Sequence, residues 1–273
     1  MTTVPAFTDR FTNHVGYESL RTSPSEASSW IPRRADLLDD RGNLDPAIIG
    51  YLVDSTAGVV CGMSAVPNWV VTADLQFRIL CPTTVGTLRA DAVAVRPGRR
   101  QSLGEVRVVD EGAGERVVAV GTVNHLVIPK GEDLDVPADM QIGVRYGPAA
   151  PLAEVPAPLA QHFGLRCVAG TGVAELDVVG DAVNPLNILH GGLLSFLASA
   201  AARSRHPDPD GVRIADMVLR FVGSLPADAV ARATAELVPG DEATATAARV
   251  AIVDPADARG RIGALVSVGL AAH

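Results

Sequence analysis

The chain carries the same order of predicted elements twice, and this duplication limits the folds open to it more than any other feature. Residues 74–79 (DLQFRI) and 216–221 (DMVLRF) match in polarity and register. Pro97-Gly98 and Pro239-Gly240 follow the two aspartates at the same distance, and the segments at 108–110 (VVD) and 252–254 (IVD) agree to within two residues. Several independent landmarks at one offset indicate an internal repeat.

Each repeat is predicted to be one long helix followed by an antiparallel sheet. Asp45 is suited to cap the first helix, with Pro46 at its first position. The second helix follows His190 and carries an apolar stripe at helical spacing through Leu193, Leu197 and Ala201. Interleaved β-branched and polar residues between turn-forming segments predict four strands after each helix: 70–80, 87–95, 101–109 and 117–128, then 213–222, 229–237, 244–253 and 262–270.

Two segments lie outside the repeat. The first thirty or so residues are polar and show little periodicity, and we expect an ordered tail or lid with one short helix. Residues 131–158 hold many of the prolines and glycines and lack a period, which is typical of a connector. The sequence therefore predicts an N-terminal unit at 1–130 that includes the tail, a Pro/Gly-rich connector at 131–158 and a C-terminal unit at 159–273.

Composition narrows the function classes. With 48% hydrophobic and 20% charged residues, the 273-residue chain can bury a sizeable core. The formal net charge of −8 argues against a nucleic-acid or anionic-membrane surface. No apolar run reaches the ~18 residues of a transmembrane helix, and the N-terminus lacks the pattern of a secretory signal. The three cysteines form no CxxC and suit a reducing compartment, so we expect a cytoplasmic protein.

Gly191 and Gly192 open the second helix, where glycine is costly for helix stability. One interpretation is close helix packing, with His190 as a buried core residue. The other is chemical, because the amides at a helix N-terminus are unpaired and lie at the positive end of the helix dipole. Such an amide can hold a carbonyl oxygen as it gains negative charge.

The HGG segment at 190–192, the V-T-A-D-L segment at 71–75 and the R-P-G-R turn at 96–99 together resemble the PaaI-like acyl-CoA thioesterases of the hot-dog fold. The resemblance is specific around residues 184–192 and 54–80. It implies an α+β double hot-dog, with two tandem units that each wrap an antiparallel sheet around a long central helix. It also implies active sites where the helix N-terminus of one unit meets an acidic residue of the other.

The two repeats have diverged in complementary ways from that family's pattern. The pattern has an Asn six residues before the His, then HGG, then a carboxylate nine residues after the His. The second repeat keeps Asn184, His190, Gly191 and Gly192 but has Ser199 at the carboxylate position and Ile214 at the strand hydroxyl position. The first repeat has Asp45-Pro46-Ala47 in place of HGG but keeps Asp54 and Thr72. Combined, the repeats hold one complete set, which random loss would not usually leave.

The resemblance implies a role for each residue of that set. The Gly191 amide would polarise the thioester carbonyl, and Asp54 would act as general base or as nucleophile. Asn184 and Thr72 would orient the water or the thioester, and His190 would fix the loop. The alternative for Asp54 is a paired structural acid, although no Lys or Arg stands three or four residues away. Thr72 alone is also an ordinary strand residue.

Three arginines, Arg96, Arg99 and Arg100, lie around one predicted turn. Guanidinium groups suit the phosphates of coenzyme A, and a solvated turn is the alternative. We expect acyl-CoA as substrate, with no cofactor beyond the coenzyme A of the substrate, no metal, no nucleic acid and no membrane span. Two such chains could associate into a homodimer through their sheets.

Two other functions stay open at this level. Asp181, Asn184 and Pro185 resemble the D-x-N-P-x-H motif of MaoC-type (R)-specific enoyl-CoA hydratases, but one extra residue follows Asp181, and Asn187 stands where His is expected. A non-catalytic acyl-CoA binding or regulatory protein is the third hypothesis, because the chain has already lost one of two sites. Acyl-chain preference, pathway and oligomeric state do not follow from the sequence.

Overall fold

The computed structural model describes residues 3–7, 10–82, 84–129, 140–148, 158–238 and 247–272. The chain divides into two compact units, Met1–Pro156 (unit 1) and Ala157–His273 (unit 2). The finer limits expected from the sequence, at residues 130 and 159, stay predictions.

Unit 1 is a sheet packed against one long helix. The helices are α1 (Arg10–Val15) and α2 (Pro46–Ala65). The strands are β1 (Thr3–Phe7), β2 (Glu18–Ser23), β3 (Glu26–Ile31), β4 (Trp69–Ile79), β5 (Leu88–Arg96), β6 (Gln101–Asp110), β7 (Arg116–Ile128) and β8 (Arg145–Pro148). Their order in the sheet is β1-β8-β2-β3-β5-β6-β7-β4. The strands β1 and β8 run parallel to each other.

The helix α2 is the core of unit 1. The Asp45 side chain accepts a hydrogen bond from the Ala47 amide, so Asp45 is the predicted N-cap. A Cβ on Gly50 would approach Phe77 to 2.6 Å, so only glycine lets the helix lie this close to β4. By length and composition α2 could cross a membrane, but 67% of its most apolar window is buried within the fold, as expected of a core helix.

Unit 2 repeats this arrangement on a smaller scale. Its helices are α3 (Leu159–His162) and α4 (Gly191–Arg205). Its strands are β9 (Arg166–Val168), β10 (Val173–Asp177), β11 (Val212–Phe221), β12 (Val230–Val238), β13 (Ala247–Val253) and β14 (Ile262–Ala272). Their order is β11-β14-β13-β12-β10-β9, and the pairings within the unit are antiparallel.

The two units share backbone irregularities as well as strand order. In unit 1 the strands run β3-β5-β6-β7-β4, and unit 2 has the same order in β10-β12-β13-β14-β11. The register shifts between Thr72 and Asp74 in one unit and between Ile214 and Asp216 in the other. It shifts again at Val108/Val109 and at Ile252/Val253. Thr72 and Ile214 are therefore equivalent positions. The predicted landmark Pro239-Gly240 lies outside the described residues.

Two segments differ from the sequence prediction. The N-terminal segment is more than a tail with one helix, because β2 and β3 form a hairpin and β3 extends the sheet next to β5. Burial of Tyr17, Ala27 and Ile31 holds the hairpin in the fold. The strand β8 lies in the predicted connector and pairs with β1 and β2. Residues 131–139 and 149–157 of that connector lie outside the described residues.

Candidate active site

Asp54 lies on α2, nine residues after the N-cap, with its side chain half-buried. Thr72 stands on β4 immediately before the register shift, and its hydroxyl donates a hydrogen bond of 2.8 Å to Asp54 Oδ1. Helix and strand thus bring together two residues that are eighteen positions apart in the chain. These are the two residues of unit 1 that belong to the predicted set of active-site residues.

Burial dominates the electrostatics of Asp54. It raises the pKa of the carboxyl group to about 6, and the hydrogen bond from Thr72 opposes this rise by stabilising the charged form. Within the described residues, no Lys or Arg forms an ion pair with Asp54. At neutral pH the group is therefore mostly ionised but is a stronger base than an exposed aspartate, which suits proton abstraction from water.

A tightly closed loop precedes α4 in unit 2. Asn184 Oδ1 accepts hydrogen bonds from the amides of Leu186 and Ile188, at 2.9 and 3.4 Å. Asn187 adopts a left-handed conformation with φ of 58°, and its amide donates to the Asn184 carbonyl oxygen. The Asn184 side-chain oxygen is thus engaged in holding the loop. The side-chain nitrogen of Asn184, Nδ2, has no acceptor among the described residues, whereas its backbone amide donates to the Ile188 carbonyl oxygen.

His190 is the N-cap of α4, and its Nδ1 accepts a hydrogen bond of 3.1 Å from the Gly192 amide. This contact ties the ring to the first turn and makes Nδ1 an acceptor rather than a proton carrier. In the described part of the chain, the neighbouring Gly191 amide has no hydrogen-bond acceptor. An uncommitted donor at a helix N-terminus can stabilise a developing oxyanion.

The helix caps establish which residues of the two units are equivalent. Asp45 and His190 are both N-caps that accept from the amide two residues later. Counting from the caps, Ser199 is the counterpart of Asp54. Ser199 is buried, and its hydroxyl has no partner among the described residues, while Ile214 in place of Thr72 is fully apolar.

The three predicted phosphate-binding arginines lie at one end of the β5–β6 hairpin in unit 1. Arg96 ends β5, and Arg99 and Arg100 are in the following turn. All three side chains are exposed, and none has a carboxylate partner in the described ranges. Three exposed guanidinium groups in a chain of net charge −8 form a local patch of positive charge.

One polar residue beside this site escaped the sequence prediction. His125 on β7 lies directly opposite Thr72 on β4 and is 2% exposed. Burial lowers its pKa to about 4, so the imidazole is neutral at pH 7. The sequence did contain a signal for it. The inward-facing positions of β7 hold Val, Ala and Gly, and His125 is the one histidine among them.

No protein-family model matches the chain, and no curated protein matches it by sequence. Solved structures do match its fold. An acyl-ACP thioesterase from Bacteroides thetaiotaomicron is 11% identical, with a TM-score of 0.61 over 90% of this chain and 98% of that one. The 12:0-ACP thioesterase from Umbellularia californica is 11% identical, with a TM-score of 0.59 over 91% and 94%. The chain therefore shares its fold with these two thioesterases over nearly the whole length of both.

Proposed function

We propose that the protein hydrolyses acyl-CoA thioesters at one composite site, to which unit 1 contributes Asp54 and Thr72, and unit 2 contributes Asn184, His190 and Gly191. This assigns to the chain the double hot-dog architecture of the PaaI-like thioesterases. The shared element order and matching register shifts of the two units support the proposal, as does the thioesterase fold.

The proposed reaction adds water across the thioester. The Gly191 amide donates to the carbonyl oxygen as it becomes an oxyanion, and one such donor contributes about 3 kcal/mol to the transition state. Asp54 either removes a proton from the attacking water or attacks the carbonyl itself to form a mixed anhydride, which water then cleaves. Both routes release a carboxylate and the thiol of coenzyme A. Thr72 keeps the Asp54 carboxylate oriented through the observed hydrogen bond.

The observation that carries this proposal is the distribution of the polar groups between equivalent positions. The ninth residue after the N-cap is Asp54 in unit 1 and Ser199 in unit 2. The strand residue before the register shift is Thr72 in unit 1 and Ile214 in unit 2. The glycine-opened helix occurs in the unit that lacks the carboxylate. A single functional set divided between the repeats accounts for all three differences.

Residues outside the catalytic set would contribute to substrate binding. The arginine turn at 96–100 would bind the phosphates of coenzyme A, since its guanidinium groups are exposed and unpaired within the described residues. The mechanism needs no cofactor or metal because a carboxylate and a backbone amide supply its chemistry. We also propose a cytoplasmic location, no nucleic-acid or membrane partner, and a homodimer formed through the sheets.

Thiol release from acyl-CoAs of short, medium and long chain length, and from aromatic ones, tests the proposal. Wild type should turn over at least one of them, and Asp54→Asn should lower kcat at least a hundredfold. Ser199→Ala is the matched control, at the equivalent position of the other unit, and should keep full activity. Absence of hydrolysis with every acyl-CoA, or full activity of Asp54→Asn, would overturn the proposal. Hydration of an enoyl-CoA, or binding without turnover, would identify the two alternatives.

A further inference from the structure

Three polar side chains lie side by side on the face of the unit 1 sheet that packs against α2. His125 is directly opposite Thr72 on β4 and Ser102 on β6. Opposed residues of antiparallel strands point to the same face, with Cβ atoms about 5 Å apart. Because the Thr72 hydroxyl binds Asp54, that face is the one toward α2. Thr72, His125 and Ser102 thus form a polar row on this face of the sheet.

One member of the polar row is buried without a partner. His125 and Ser102 are each 2% exposed. The Ser102 hydroxyl interacts with the Cys61 thiol on α2, whereas His125 Nδ1 has no hydrogen-bond partner within the described residues. Buried polar atoms in native proteins are nearly always paired, so those left unpaired require an explanation. A ligand group that reaches the row would supply one.

The helix α2 carries a glycine, Gly58, next to the His125 ring. Asp54 and Gly58 are one turn apart on the same face of α2. Among the described residues, a Cβ on Gly58 would meet only His125 Nε2, at 3.8 Å. The glycine therefore leaves room beside the imidazole, one helical turn from the carboxylate.

Unit 2 lacks the counterparts of Thr72, His125 and Gly58. Ile214 takes the place of Thr72, and it lies opposite Leu270, which takes the place of His125. Thirteen residues after the cap, unit 2 has Arg203 instead of Gly58. The buried histidine and its adjacent glycine thus occur together with the carboxylate, in the unit that kept Asp54. This is the distribution expected of residues that serve the site rather than the packing of the repeat.

We propose that His125 binds the acyl part of the substrate, and that the preferred substrates are acyl-CoAs with an uncharged hydroxyl or oxo group near the thioester. The inference rests on the proposed thioesterase function and specifies its substrate class. A neutral imidazole offers one donor and one acceptor, so it can pair with either group. A plain alkyl chain would cover His125 and leave its imidazole unpaired, which is unfavourable for a buried polar group.

The test compares kcat/KM for 3-hydroxybutyryl-CoA and acetoacetyl-CoA with that for butyryl-CoA. Wild type should prefer the oxygenated substrates about tenfold, the effect of one hydrogen bond. His125→Leu should abolish the preference, so that the kcat/KM values for oxygenated and plain substrates become equal. Leu270→Met, at the matching position of unit 2, should leave the preference unchanged. Gly58→Ala, which fills the room beside the ring and favours the helix, should reduce the preference even if His125→Leu does not fold.

Each outcome separates this inference from the proposed function. Hydrolysis of all three substrates without preference, or with a preference that survives His125→Leu and Gly58→Ala, overturns the inference and leaves the thioesterase in place. If nothing is hydrolysed, calorimetric Kd values for the same substrates decide. Tighter binding of 3-hydroxybutyryl-CoA than of butyryl-CoA, lost in Gly58→Ala, supports the inference, and equal Kd values overturn it.

Discussion

At the scale of single residues, Asp54 combines a chemical advantage with a cost in stability. Burial makes its carboxylate more basic, and the same burial disfavours the charged form in the folded protein. The Thr72 hydrogen bond offsets part of this cost and orients one carboxylate oxygen. Substitutions of the two residues should therefore change stability and activity in different, predictable directions.

Replacing Asp54 with Asn should stabilise the protein at neutral and alkaline pH. The folded pKa of about 6 lies above the unfolded value, so the folded state holds the proton more tightly. Ionisation of Asp54 thus lowers the free energy of unfolding as pH rises from about 4 to about 6. Asp54→Asn should be about 1–3 kcal/mol more stable than wild type at pH 8, with a smaller difference at pH 5. Urea unfolding at both pH values measures this, and equal stabilities at pH 8 would show that Asp54 is not desolvated.

Replacing Thr72 with Val should shift the pH dependence of hydrolysis. The Thr72 hydrogen bond lowers the pKa of Asp54, so its loss should raise that pKa further. The rise of kcat/KM with pH, governed by ionisation of Asp54, should then move to higher pH. Ile214→Val at the equivalent position is the control. A pH–rate profile with the same midpoint in wild type and Thr72→Val would argue against a role for this hydrogen bond in activity.

At the scale of elements, the sequence predicted the repeated core well and its surroundings poorly. The strand expected at 70–80 is observed at Trp69–Ile79, and α2 begins directly after Asp45, as predicted. Both predictions depended on local signals, the alternation of apolar residues along the strand and the capping residue before the helix. The hairpin of β2 and β3 was missed because its strands are short and polar, and because β3 pairs with β5, about sixty residues away. His125 was missed for a similar reason, since only the register between β4 and β7 brings it beside Thr72.

The N-terminus of α4 provides a test of what His190 does. Its Nδ1 caps the helix by accepting from the Gly192 amide, so a residue that can cap should substitute for it. His190→Asn should keep activity within a few fold of wild type, whereas His190→Ala should lose about 1 kcal/mol of stability and lower kcat. Chemical denaturation and kcat measured on both variants decide this. Inactivity of His190→Asn in a fully folded protein would instead indicate that the imidazole takes part in the chemistry.

The arginine turn provides a second test at this scale. If it binds the phosphates of coenzyme A, replacing Arg99 and Arg100 with Gln should raise KM several-fold, with kcat nearly unchanged. The effect should shrink at high ionic strength, because exposed charges are screened. Acyl-pantetheine, which lacks the nucleotide phosphates, is the matched substrate control, and the double variant should hydrolyse it as wild type does. An equal rise in KM for both substrates would contradict phosphate binding at this turn.

At the scale of the whole molecule, the repeat explains why a chain of two similar units would have one site. The units share strand order and register shifts, so their backbones are alike, while the polar residues at equivalent positions differ. The sequence predicted this division because it could be counted from the motifs. Acyl-chain preference could not be predicted, because it depends on packing between segments that are distant in the sequence.

The number of acyl-CoA molecules bound per chain tests the central claim most directly. Isothermal titration of the Asp54→Asn variant with an intact acyl-CoA measures this number while hydrolysis is blocked. A single composite site predicts one ligand per chain, and Ser199→Ala introduced into the same variant should leave the number at one. Two ligands per chain, or a stoichiometry that changes with Ser199, would contradict a single site assembled from the two repeats.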